Sequence, residues 1–108
     1  MNIWMEIKYL KGQTLQTLDQ HKPFTVVDVN ETTVIVRPLS TKRDRPISRE
    51  GIEAAMKHLL TTGQLEPKEI DEQFAPRSSI YVAAMLSTLP EVKHSINPIR
   101  LWIADKDG

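Results

Sequence analysis

Residues 24–38 read "FTVVDVNETTVIVRP", two β-branched runs with Asn30 and Glu31 between them. β-Branched side chains suit a pleated, half-buried surface. Asn30 tolerates the left-handed conformation that a tight turn demands. The pattern predicts a β-hairpin in which Phe24, Val26 and either Asp28 or Val29 line faces against Val34 and Val36. Pro38 has no amide hydrogen to give a ladder, so the second strand ends there.

Downstream, the basic loop "LSTKRDRP" (39–46) leads into an amphipathic stretch. Ser48 stands at an N-cap position, where its hydroxyl accepts from an exposed amide of the first turn. Ile52, Ala55, Met56, Leu59 and Leu60 then recur at helical spacing, and Gly63 supplies a C-terminal stop. A helix over 49–62 follows from this. In "EPKEIDEQF", Pro67 fits a first helical position, Ile70 and Phe74 share a face, and Leu65 is placed to staple against Ile70. After "APRSS", Ser78 or Ser79 is expected to cap a third helix through "IYVAAMLSTL", ended by Pro90. The final "IRLWIA" alternates Ile99, Leu101 and Ile103 against Arg100 and Trp102, a strand pattern.

Upstream of the hairpin, "IWMEIKYL" (3–10) alternates Ile3, Met5 and Ile7 with Trp4, Glu6 and Lys8, which favours a strand. "GQTLQTLDQ" reads as a connecting segment. The whole describes an α+β chain: a β-hairpin and short sheet packed on a three-helix unit. Helix, short helix, tight break, third helix and strand is also the element order of a winged helix-turn-helix, so the unit is winged-helix-like.

The 108 residues suit one domain, 1–108, and at 40% apolar and 26% charged they suffice for a core. Fourteen basic and fourteen acidic residues cancel, so any attraction to a polyanion has to be local. No cysteine is present, which removes thiol nucleophiles, disulfides and cysteine-ligated zinc. The opening residues carry Glu6, Lys8 and Lys11, unlike a signal peptide, and the run "IYVAAML" is too short to cross a bilayer. A cytoplasmic location and no membrane partner are expected.

The charge distribution is the feature with functional content. Arg37, Lys42, Arg43, Arg45 and Arg49 fall within thirteen positions opposed only by Asp44, where a proportional share would be about two cations. Such a cluster suits phosphates. Alternatively it is a solvated loop, or pairs internally, as Arg45 or Arg49 with Glu50 and Glu53. Arg77, Ser78, Ser79 and Tyr81 open the third helix, where a helix-turn-helix meets base edges. Against a groove role, the rest of that helix lacks cations, and Glu66, Glu69, Asp71 and Glu72 precede it.

Enzymatic signatures are weak. Two E-x-K triplets, at Glu6–Lys8 and Glu91–Lys93, match chance, and Asp71 lies on a helix instead of the strand a metal nuclease needs. His21, His58 and His94 lack metal-ligand spacing, and there is no glycine-rich phosphate loop or serine elbow. No catalytic residue, metal or cofactor is expected. Trp102 is expected to pack under a helix; on the outer side with Arg100 it would form a contact patch for a protein or an unpaired base. The sequence thus indicates a non-enzymatic nucleic-acid-binding module, for DNA rather than RNA, gripping phosphates through Arg37, Lys42, Arg43, Arg45 and Arg49, with Arg77, Ser78 and Ser79 adding groove contacts. The alternative is a protein-interaction module, an adaptor or inhibitor, using the acidic helix and exposed aromatics.

Overall fold

Val27 interrupts the alternation of the hairpin. The computed structural model describes residues 3–104, and in it Val26 pairs with Val36 while Asp28 pairs with Ile35, so Val27 is an extra residue in the ladder. This bulge shifts the face by one residue. Val29 therefore joins Phe24 and Val26 in the core, and Asp28 turns out to an ion pair with Lys11 at 3.1 Å. The hairpin strands are β2 (Pro23–Val29) and β3 (Thr33–Pro38). Asn30 does not take the left-handed conformation expected of it; it holds the turn through its side chain, Oδ1 accepting from the amides of Thr32 and Thr33 at 2.9 Å each.

Two segments read as connections extend the hairpin into a four-stranded antiparallel sheet. Thr14–Gln16 is β1, paired with β2, and Arg45–Ser48 is β4, paired with β3. Pro46 kept β4 from standing out in the sequence, but as an edge strand it tolerates a missing donor.

Residues 3–10 depart from the expected strand. Ile3–Lys8 is a helix, α1. Its six residues satisfy both periods, and burial selects the helical one: Trp4 and Ile7 face inward at i, i+3. The Trp4 indole Nε1 also donates to the Asn30 carbonyl at 3.2 Å, so α1 is fastened across the hairpin turn.

Helix α2 (Arg49–Thr62) is capped as its sequence requires. The Gly51 amide donates to Ser48 Oγ at 2.9 Å, and Gly63, at φ +88°, returns its amide to the Leu59 carbonyl. Ile52, Ala55, Met56 and Leu59 are buried, whereas Leu60 lies outside the stripe and is exposed. Strand β5 (Gln64–Leu65) follows. Helix α3 (Pro67–Glu69) then runs into a π-helical turn, Ile70–Phe74, with Leu65 and Ile70 both fully buried. Helix α4 (Ser79–Leu86) ends before Pro90 is reached: Ser87 Oγ and Thr88 Oγ1 donate back to the carbonyls of Ala84 and Met85 at 2.7 Å.

Strands β6 (Val92–Ile96) and β7 (Ile99–Ile103) form a second hairpin, completing a three-stranded sheet of order β5-β7-β6. The mixed composition of "VKHSI" hid β6. A single buried cluster runs from Trp4 and Ile7 through both sheets to Leu101. Among the described residues the architecture is α+β, with four α-helices, a π-helical turn and two antiparallel sheets. Among the described residues no helix is long and apolar enough to cross a membrane.

Candidate nucleic-acid interface

The five clustered cations meet different fates. Arg37, on β3, is locked to Asp44 in a fork, Nε to Oδ1 at 2.5 Å and Nη2 to Oδ2 at 3.2 Å. Those hydrogen bonds hold the Asp44 carboxyl below its ordinary value and push the guanidinium of Arg37 up. Arg49 is likewise engaged. Its Nε meets Glu53 Oε1 at 3.2 Å, Nη1 donates to the Glu31 carbonyl at 3.1 Å, and the guanidinium covers the Trp4 ring at 4.9 Å. It secures α1 to the start of α2, and the expected pairing with Glu53 is the one that forms.

Lys42, Arg43 and Arg45 keep their charge uncompensated: among the described residues no carboxylate lies within ion-pair distance of them. Lys42 and Arg43 are exposed at the turn between β3 and β4, where Lys42 takes a left-handed conformation at φ +57° and its amide donates to the Pro38 carbonyl at 2.8 Å. Arg45 leans the other way. Its Nη1 donates to the Arg77 carbonyl at 3.3 Å, and its guanidinium stands 5.8 Å from the centre of the Tyr81 ring. Tyr81 is fixed in turn by an edge-on contact with Phe24, centroids 5.0 Å apart.

Arg45 therefore joins the basic turn to the entrance of α4. Between them lies an open cleft of about 450 Å³ lined by Pro38, Thr41, Arg43, Arg45 and Tyr81, with the paired Asp44 at its edge. Arg77 is exposed beside it at φ +66°, also without a carboxylate partner among the described residues.

The remaining expected contacts do not join this surface. Ser78 and Ser79 are 4% and 7% exposed, which withdraws them from a groove. Six of the eight residues of α4 are buried, so the helix serves the core and presents no ridge of side chains to a duplex. Asp71 Oδ1 accepts from the Ser79 amide at 3.3 Å, placing a carboxylate where a phosphate would otherwise sit.

The acidic run is also largely committed. Glu66 pairs with Arg100 at 3.7 Å, and Glu69 bonds His58 Nε2 at 2.9 Å and the Glu66 amide at 3.0 Å. Glu66, Glu69 and Asp71 thus take part in caps and ion pairs within the fold, and Glu72 is exposed. Tyr81 is the residue whose part at the cleft the sequence signalled least, since its role depends on Arg45 arriving from another strand. Compared with protein-family models, with curated proteins and with solved structures, the chain matches none of them.

Proposed function

We propose that the protein binds nucleic acid, DNA in the first instance, by gripping phosphates with Lys42, Arg43, Arg45 and Arg77 around the Tyr81 cleft. One observation carries this reading: the hydrogen bond from Arg45 to the Arg77 carbonyl, which brings the basic turn next to the entrance of α4, where the carboxylate lining the cleft, Asp44, is paired with Arg37. Phosphate contacts position a protein without reading sequence. With α4 buried, the mode is backbone recognition and not insertion of a helix in the major groove.

The order α2, β5, α3, α4, β6, β7 resembles the element order of a winged helix-turn-helix, and that resemblance is a supporting argument for the reading. Arg37 and Arg49 act as supports, holding the turn and α1 in place, and not as phosphate ligands.

The test is binding to random-sequence duplex across a salt series. Four phosphate contacts give a log–log slope of about −3 to −4. Arg43→Glu with Arg45→Glu should abolish binding. Undetectable affinity of the parent protein at low ionic strength would overturn the proposal.

A further inference from the structure

We infer that the outer face of the β5-β7-β6 sheet is a second site, which takes a single-stranded nucleic acid by stacking one unpaired base on Trp102. Strand register places the components. Trp102 on the central strand is flanked by Gln64 on β5 and Lys93 on β6, and Arg100, two residues earlier on the same face, lies opposite Ser95. Side chains alternate across a sheet, so these residues stand together while Leu65, Val92 and Leu101 occupy the opposite, buried face.

Trp102 is 38% exposed in the middle strand of an antiparallel sheet, although burial under a helix is the usual fate of such a residue. An exposed aromatic with one cation beside it on β6, Lys93, and another two residues along its own strand, Arg100, has the chemistry of a base-stacking platform, the ring taking a base face and the cations nearby phosphates. Lys93 has no carboxylate within ion-pair distance among the described residues. Arg100 meets Glu66 only at 3.7 Å, with both side chains about half exposed, a pair that a phosphate can displace. Beside the ring, Thr62, Gly63, Gln64, Ser95 and Arg100 line a wide-open, shallow recess of about 570 Å³, on which a nucleobase can lie. The Gln64 amide supplies a donor and an acceptor at its edge, and the Ser95 hydroxyl, which donates to the Pro98 carbonyl at 2.8 Å, an acceptor. Charge complementarity selects the occupant: Lys93, and Arg100 once a phosphate displaces Glu66, suit the backbone of a strand whose base lies on Trp102.

This site stands apart from the Tyr81 cleft and shares none of its residues, so the two readings fail separately. The experiment titrates the protein with short oligothymidylate at low salt while following tryptophan fluorescence, with anisotropy of a labelled strand in parallel. Saturable quenching is expected, and an abasic strand of equal length should bind more weakly and leave fluorescence unchanged. Trp102→Ala should weaken oligothymidylate binding about tenfold or more, the effect of one stacked base. Trp102→Phe should retain most affinity by anisotropy but lose the quenching, which assigns the signal to Trp102 and not to the buried Trp4. Lys93→Gln with Arg100→Gln should flatten the salt slope by about 1.4 units, two contacts to a single strand. Arg43→Glu with Arg45→Glu, the change that abolishes duplex binding in the first reading, should leave the quenching intact. Equal binding of the thymidylate and abasic strands, or parental affinity in Trp102→Ala, overturns the inference, whatever the duplex experiment shows.

Discussion

Arg45 and Arg77 are 32 positions apart in the chain, and a hydrogen bond of 3.3 Å from the guanidinium of the first to the carbonyl of the second ties β4 to the entrance of α4. The Tyr81 ring beneath the same guanidinium completes the contact. A charge held this way is oriented but not neutralised, because a carbonyl and a ring face carry no formal charge. That distinguishes Arg45 from Arg37 and Arg49, which end on carboxylates.

Replacing Tyr81 separates orientation from charge. Tyr81→Leu removes the ring under Arg45 and the edge-on contact with Phe24, and should lower stability by about 1–2 kcal/mol in urea denaturation. Tyr81→Phe keeps both contacts and should stay within about 0.5 kcal/mol of the parent. If the two variants are equally stable, the ring does not hold the cleft.

Asp44→Asn should strengthen duplex binding. It removes the carboxylate charge that neutralises Arg37 and one of the two acceptors, turning a neutral pair into a net cation and adding about one unit to the salt slope. Unchanged affinity and slope would show that Arg37 does not face the ligand.

The same pair sets an acid dependence. The folded Asp44 carboxyl lies below its ordinary 3.8, held down by the hydrogen bonds from Arg37, so its stabilising contribution is fully present above that value. It is lost as pH falls through the lower, folded value. The stability gap between parent and Asp44→Asn should therefore be steady from neutral pH to about 5 and close on further acidification. A gap that does not narrow at all on acidification would assign the effect to packing.

Gly51→Ala should destabilise, against the usual sign for a helical glycine. Alanine normally gains about 1 kcal/mol through helix propensity. Here its Cβ would lie 2.4 Å from the Phe74 carbonyl oxygen, which belongs to the backbone and cannot swing aside. A net loss of about 1–3 kcal/mol is expected, read as a lower melting temperature. Ser48→Ala, one turn earlier, removes only the cap bond to the Gly51 amide and should cost about 1 kcal/mol.

Local chemistry was legible wherever it acted within a few residues. The β2–β3 hairpin, the turn at Asn30, the close of β3 at Pro38, and α2 with its caps at Ser48 and Gly63 each depend on side-chain period or on a bond to a near neighbour. Sequence alone determined these, together with the strand at Ile99–Ile103 and the α+β class. The tertiary structure decided what depends on distant partners. Residues 3–8 suit strand and helix alike until Trp4 and Ile7 meet a core, and Thr14–Gln16 becomes a strand only because β2 offers it an edge. Trp102 faces outward because Leu101 claims the buried face. The basic cluster divides in the same way: a run of arginines records that charge is present, but which of them stay free follows from what lies within 4 Å after folding. Asp44 takes Arg37, Glu53 takes Arg49, and Arg45 finds a carbonyl that leaves it charged.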